Sequence, residues 1–462
     1  MHLSAFVVIA QEGNKTLTFK EYLGYVDAFH PIARQAAIYE LSAREKLREA
    51  RGGFDPELYH YSDKKEFDDK FYFFHSTTGL KVPLWYGVEL NAQYDLANGA
   101  LLNPENDVPN QGLNTVGIKV SVLQGLFTNQ RMADVQQAKV LMNLAKAERQ
   151  KQVLKLFQKA TLAYWEWSAA AEIAGVYNTS YQLAQEQFQN TKKLFEQGAK
   201  SAFDTLETFT QMQNRLNLLL EYQAKSIEKR NKAANYLWTE EQEPVQIPEG
   251  ITPETIVGYA YVSSGVDSIT SIIDNLREAN PELRRLTYKI QEVEVKQKLQ
   301  TQYLIPKLEL KYNILNEGFA LPGETFQADY FTNNYKWGIN FSYPLLIRDA
   351  RGARNQSILK VESLTLEKDQ RYLEITNEIN ALLQNFVLVS DQITLGADLI
   401  ENFRRLFEGE RTRFFNGESD FFIVNRRELS YLSYQAKLMD LHVRQIEIGT
   451  ELDVNLGIIP GK

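Results

Sequence analysis

Few residues of this chain are arranged to do chemistry. Its five histidines, His2, His30, His60, His75 and His442, do not pair at ligand spacing, and no cysteine supplies a thiolate, a disulfide or a lipid anchor. Asp68-Asp69 and Glu240-Glu241 pair carboxylates, but in polar segments where solvent reaches both. Arg351-Gly352-Ala353-Arg354 carries one glycine before a long helical pattern, too few for a phosphate cradle; Gly-x-Ser-x-Gly and His-Glu-x-x-His are absent. The sequence therefore predicts no enzyme, no metal site and no cofactor. What remains is surface chemistry. Two glycine turns stand out: Gly198 before Ser201-Ala202-Phe203-Asp204, and Gly417 before Ser419-Asp420-Phe421-Phe422. Glycine takes the positive φ that stops a helix, and Ser201-x-x-Asp204 resembles a capping box that starts the next. A well-capped hairpin needs nothing more, yet Phe203, Phe421 and Phe422 place apolar side chains where solvent favours polar ones, the chemistry of a docking surface. Just before the second turn, Glu401, Arg404, Arg405, Glu408, Glu410, Arg411 and Arg413 crowd charge of both signs onto the end of one helix. That run is either a solvated face or, in a narrowing bore, a gate in which Glu408 would pair with Arg405 or Arg411 of a neighbouring copy.

The elements that would carry these turns repeat. Pro31 and Pro56 in the first half correspond to Pro281 and Pro306 in the second, Gly117-Ile118-Lys119-Val120-Ser121-Val122 to Gly338-Ile339-Asn340-Phe341-Ser342-Tyr343, and Phe195-Glu196-Gln197-Gly198 to Phe414-Phe415-Asn416-Gly417. The order is kept, and the first half carries an insertion of about 29 residues before its second strand, between about 59 and 112. Leu308, Leu310, Tyr312 and Ile314 alternate with charged or polar neighbours, as do Trp337, Ile339, Phe341 and Tyr343; so do Leu84, Tyr86, Val88, Leu90 and Tyr94, and Ile118, Val120 and Val122. Two hairpins and four strands are expected. Helices without proline over 129–196 and 349–415 would each run about 100 Å at 1.5 Å per residue, with shorter return helices at 202–238 and 419–452. Tyr181, Ala184, Phe188, Thr191 and Phe195, and Leu429, Leu432, Ala436, Met439 and Val443, step by three and four as coiled-coil stripes do. The expected organisation is a signal remnant at 1–10, a first repeat at 11–238 with strands within about 56–123, a linker at 239–266, and a second repeat at 267–462 with strands at about 306–343.

Composition narrows the class. With 44% hydrophobic residues the chain can build a large core, and a formal net charge of -8 has the wrong sign for a nucleic-acid binder. No stretch reaches the roughly 18 to 20 apolar residues of a membrane-spanning helix, so any membrane passage is made by strands. The apolar run from Leu3 to Ala10 resembles the tail of a secretory signal.

The twofold repeat, the proline-initiated strands, the second strand running into Ser342-Tyr343-Pro344-Leu345-Leu346, and the Phe-x-x-Gly turns together resemble the TolC-type outer-membrane efflux family over about 18–457. The resemblance implies an α+β membrane protein: a homotrimer in which each subunit gives four strands to a 12-stranded barrel, continued by a long periplasmic α-helical barrel. It implies no enzyme but a passive exit duct of a tripartite efflux or type I secretion system, set in outer-membrane lipid, with a periplasmic adaptor meeting the turns at Gly198, Ser201, Phe203 and Asp204 and at Gly417, Ser419, Asp420 and Phe421, and an inner-membrane pump as driver. Aromatic residues near strand ends (Trp85, Tyr86, Tyr94, Tyr312, Tyr335, Trp337, Tyr343) fit interfacial girdles. The alternative is a coiled-coil scaffold without channel activity, for which alternating hairpins with aromatic ends would serve no purpose.

Overall fold

A computed structural model describes residues 16–259, 275–318 and 332–460. The expected signal remnant at 1–10, the end of the linker and most of the turn-rich segment 317–334 lie outside them. The elements run β1 (Thr16–Leu17), α1 (Phe19–Phe29), α2 (Pro31–Gly52), β2 (Glu57–Phe67), β3 (Lys70–Pro83), β4 (Val88–Asn98), β5 (Leu113–Ser121), α3 (Gln130–Glu196), α4 (Ala202–Ala234), β6 (Thr252–Pro253), α5 (Leu276–Ala279), α6 (Pro281–Gln302), β7 (Lys307–Glu317), β8 (Tyr335–Ser342), α7 (Arg348–Phe415) and α8 (Phe421–Leu456). None of the described helices is long and apolar enough to cross a membrane.

Of the repeated prolines, Pro31 and Pro281 start helices, and Pro56 and Pro306 stand just before strands. Asn280 Oδ1 accepts the backbone N–H groups of Glu282 and Leu283 at 2.8 and 3.2 Å, and Pro281 stands at the first helical position, where a missing N–H costs nothing. His30 does the same before Pro31, its Nδ1 accepting from the Ile32 N–H at 3.1 Å. Proline-free sequence then lets α3 run 67 residues and α7 68, each about 100 Å long at the helical rise. The apolar stripes pack in part as expected: Ala184, Leu432, Ala436 and Met439 are buried, and Phe188 meets Phe209 at 5.1 Å, although Phe195 and Leu429 face out.

The described residues form two compact units. One comprises the chain up to Ile38 with Ala147–Arg284 and Gln370 onward. Its core gathers Tyr22, Tyr164, Trp165, Trp167 and Phe157 from α1 and α3, none more than 2% exposed. The Tyr164 hydroxyl donates to the Leu17 carbonyl at 2.6 Å and accepts from the Glu254 N–H at 2.9 Å, so one phenol ties both strands of the small parallel pair β1–β6, at their C-terminal end, to the middle of α3.

The other unit, Tyr39–Lys146 with Arg285–Asp369, holds the sheet. The sheet corrects the expected count, for it has six antiparallel strands in the order β2-β3-β4-β5-β7-β8 instead of four. Pro56 to Ser121 makes four strands where Pro306 to Ser342 makes two, so the insertion adds one pair to the first half, and β2 and β3 are the strands that were not expected. Their hairpin turns at Asp68-Asp69, both at a φ of 52°, where aspartate tolerates the left-handed region better than most residues. Leu84 and Tyr86, expected on a strand, form instead the turn between β3 and β4, with Tyr86 at a φ of 57°.

Because side chains alternate across a strand, the register sorts the sheet into two faces. Val82, Leu90, Ile118, Tyr312 and Trp337 stand in one row; Leu80, Ala92, Val116, Ile314 and Tyr335 in the next. This face stays open: Trp337, Ile339 and Phe341 are 60–64% exposed. The opposite face is polar. There Lys119 Nζ pairs with Glu89 at 2.9 Å, Asn91 meets Asn313 at 3.3 Å, and Thr77 donates to Asp95 at 2.6 Å. Tyr94, Tyr312, Tyr335 and Trp337 of the expected girdles lie on the apolar face, whereas Trp85 sits in the turn and stacks on Phe54 at 4.5 Å.

Replacing Tyr164 by Phe leaves the Leu17 carbonyl and the Glu254 N–H without this partner. Denaturant melts should show a loss of about 1–3 kcal/mol; an unchanged midpoint would mean that the phenol does not hold β1–β6 in place.

Candidate functional site

Both glycine turns lie in the helical unit and face each other. At the first, Gly198 has a φ of 75°, its N–H donates to Phe195 O at 2.9 Å, and the Ala199 N–H reaches back to Leu194 O at 2.8 Å. At the second, Gly417 has a φ of 78°, with Gly417 N to Phe414 O at 3.0 Å and Glu418 N to Arg413 O at 2.9 Å. This is one helix-stop geometry built twice. The helices that follow are capped as their sequences require. Ser201 Oγ accepts the Asp204 N–H at 3.1 Å while the Asp204 carboxylate takes the Ser201 N–H at 2.9 Å, and Asp420 Oδ1 accepts the Ile423 N–H at 2.9 Å. The backbone N–H of Ser201, and then its hydroxyl, hold the Asp204 carboxyl below its ordinary value.

Between the turns lies an open cavity of about 790 Å³, lined by Leu183 and Leu194 of α3, Lys200 and Asp204 of the first turn, and Phe414 and Phe421 of the second. Lys200 Nζ stands 6.0 Å from the Phe414 ring centre, and Phe414 meets Phe421 at 6.0 Å. Phe203, Phe415 and Phe422 point to solvent at the rim, 64–73% exposed. The structure thus brings Asp204, Gly417, Ser419, Asp420 and Phe421 to one cavity and places Phe203 outside it. Phe414 and Phe415 were not among the expected contact residues; the sequence marked them only as part of the repeated turn.

The charged run at the end of α7 pairs within its own helix. Arg404 Nε lies 2.9 Å from Glu401 and its Nη1 2.7 Å from Glu408, and Arg405 Nε lies 2.8 Å from Glu401. The three-and-four spacing that suggested pairing between copies also favours pairing along one helix. Glu410 accepts from the Ser419 hydroxyl at 2.5 Å and has Arg413 at 3.5 Å, so it ties the helix end to the turn. Arg411 lies over the Phe415 ring at 5.8 Å. Arg404, and then Arg405, pull the Glu401 carboxyl down to about 2.

A buried polar cluster below the cavity carries no sequence motif. Arg215 of α4, 1% exposed, donates from Nη2 to Glu428 Oε2 at 3.0 Å and to Asn425 Oδ1 at 2.8 Å, both on α8; Ser180 of α3 donates to the other Glu428 oxygen at 2.8 Å. Three helices meet at one carboxylate. Among the described residues no group of three or more His, Asp or Glu could hold a metal ion.

No family model and no curated protein matches the sequence. Solved structures do. The open-state outer-membrane channel MtrE of Neisseria gonorrhoeae matches at a TM-score of 0.67 and 10% identity, over 95% of this chain and 88% of that one. The outer-membrane channel CmeC of Campylobacter jejuni matches at 0.64 and 11%, over 96% and 86%, and the outer-membrane protein VceC of Vibrio cholerae at 0.64 and 13%, over 95% of both chains. At this identity the likeness is one of fold: the chain shares the fold of these outer-membrane channels.

Three outcomes follow from this geometry. A Cβ at Gly417 would meet nothing within 4 Å, so Gly417→Val is strained through its positive φ alone and should cost roughly 1 kcal/mol or more in thermal melts; a neutral effect would remove the turn assignment. Arg215→Met should cost about 3–5 kcal/mol by leaving Glu428 buried without its cation, while Arg215→Met with Glu428→Leu should recover most of that loss; a double-variant loss equal to the sum of the two single-variant losses would mean that the pair is not coupled. Glu401 has a folded pKa below its ordinary value, so its pairing stabilises the helix end fully above about pH 4.5 and is lost as pH falls toward 2. A carboxyl titration by NMR with its midpoint near 4.5 would contradict the pairing.

Proposed function

We propose that three copies of this chain form a passive exit duct, with the sheet in the outer membrane and the long helices as its periplasmic extension. The observation that carries this reading is the two-faced sheet. Its exposed apolar rows suit hydrocarbon, its polar face of Glu89, Lys119, Asn91, Asn313 and Asp95 suits a water-filled bore, and one subunit leaves edge strands open that lipid would not tolerate. A coiled-coil scaffold gains nothing from such a sheet. The fold shared with outer-membrane channels supports the duct reading independently.

In the same reading the cavity between the turns receives a periplasmic adaptor protein. Its aromatic walls and rim, with Lys200 and Asp204 beside them, offer an apolar seat with charge at the margin, the composition of a docking surface. The duct has no energy source, so an inner-membrane pump drives export. The charges at the end of α7 act as the gate if the bore narrows there, and the two halves of the chain, 11–238 and 267–462, are a duplicated unit.

The duct reading predicts an outer-membrane fraction whose gel band shifts from oligomer to monomer on heating, and discrete conductance steps when that oligomer is added to planar bilayers. A soluble monomer without conductance would sink it. Phe203→Ser with Phe422→Ser should weaken adaptor capture several-fold while conductance stays unchanged; loss of conductance with normal capture would reverse the assignment of the turns.

A further inference from the structure

Resting on the reading that copies of this chain assemble into the duct, we propose that each subunit contributes six strands, so that β8 of one copy pairs with β2 of the next and the trimer closes an 18-stranded barrel. A 12-stranded barrel would have to close on the outer edge of β4. That edge is taken: β3 pairs with β4 through ten consecutive positions, from Phe74 with Asn98 to Pro83 with Glu89. The outer edge of β3 is taken in turn by β2, from Glu57 with Lys81 to Phe67 with Lys70. Among the described residues, the open ladder edges of this sheet are those of β2 and β8. They belong to opposite sides of the same sheet, so head-to-tail pairing repeats and closes into a ring. The even strand number makes β8 and the next β2 antiparallel, like every other pair in the sheet.

The hairpin is built into the wall. Tyr59 of β2 lies across Gly79 of β3, where a Cβ would come within 2.4 Å of its ring, and its hydroxyl reaches Gln93 of β4 at 3.3 Å. One side chain thus spans three strands. The stagger of the strands points the same way. Along the row that joins Leu58, Leu80, Ala92, Val116, Ile314 and Tyr335, the strand midpoints slide steadily: that of β2, residue 62, stands four positions to one side, and that of β8, between residues 338 and 339, three to four positions to the other. At a tilt of 35–45° neighbouring strands slide by about one to one and a half residues, so the five steps from β2 to β8 require about five to seven, close to the slide seen here. The two additional strands continue the shear of the other four. Closure at 18 strands widens the backbone cylinder from about 24 Å to about 36 Å at a 40° tilt. The outward row of β2, with His60, Ser62 and Lys64, is the least apolar of the six, so the seam between copies is the most polar strip of the outer face; His60 is met there by the Thr78 hydroxyl at 2.8 Å, and Lys64 is long enough to reach the interface.

The chain has no cysteine, which allows a direct test. Gly338→Cys, Asn340→Cys or Ser342→Cys on β8 is combined with Tyr61→Cys, Asp63→Cys or Lys65→Cys on β2, and in a control set with Asn91→Cys or Ala97→Cys on β4; all lie on the polar face. Mild oxidation of the membrane-embedded oligomer should link subunits covalently in at least one β8–β2 combination, with most chains shifted on non-reducing gels after heating, and in no β8–β4 combination. A β8–β4 cross-link, or no β8–β2 link from all nine combinations in an oligomer that still forms, would overturn the proposal and leave the duct reading standing. If the cysteine variants fail to assemble, electron cryomicroscopy of the unmodified oligomer decides, a cylinder near 24 Å being the contrary result. An unmodified chain that stays monomeric in the membrane would remove the duct reading itself.

Discussion

A sheet with one apolar face cannot enter hydrocarbon while the backbone N–H and C=O groups of its edge strands lack partners. That constraint organises everything else about this chain. Each unpaired group costs several kcal/mol in lipid, and a ladder edge carries a row of them, so the price of staying monomeric far exceeds the entropy of assembly. In the proposed duct, the charged run Asp63-Lys64-Lys65-Glu66 on the outer strand would serve the stage before assembly. It makes the open edge a poor template for stray partners in water.

The helices face a different problem. Proline-free sequence can run for 67 residues, but propensity alone does not hold a helix of that length straight among its neighbours; packing does. The apolar stripes supply most of it. At the level of Arg215 and Glu428 the packing changes character, and a buried carboxylate shared by three helices replaces apolar contact. A buried ion pair is a weak source of net stability because both charges lose water, but it fixes register, since sliding either helix by one turn would strand the charges. Its place directly below the cavity between the turns sets the relative position of the two hairpins, and thereby the shape of the cavity. Where the hairpins end, glycine geometry and side-chain caps stop the helices cleanly enough to leave aromatic side chains at the rim.

Much of this was legible in the sequence. The helix boundaries were, because proline, glycine and capping residues act locally: the expected 129–196 is Gln130–Glu196 in the structure, and 349–415 is Arg348–Phe415. Strands β5, β7 and β8 were, because alternation with a half-exposed face is unambiguous. Strands β2 and β3 were not. Phe71-Tyr72-Phe73-Phe74 has no alternation, the four charges from Asp63 to Glu66 fall on both faces, and the pairing that makes both segments strands is made with each other and with β4, which no local pattern reports. The candidate docking surface was half legible. Glycine and capping signals located Gly198, Ser201, Asp204, Gly417 and Asp420, whereas the exposure of Phe415 and the clasp at Arg215 depend on which helices meet. The charged run was legible as residues but not as partners, because the same spacing serves pairing within a helix and between copies.

The central claim is that copies of this sheet complete one another. Native mass spectrometry of the protein extracted in detergent tests it most directly. The account predicts a single species of about 160 kDa, three times the 53.2 kDa chain; a dominant 53.2 kDa monomer in detergent that preserves other membrane oligomers would contradict it.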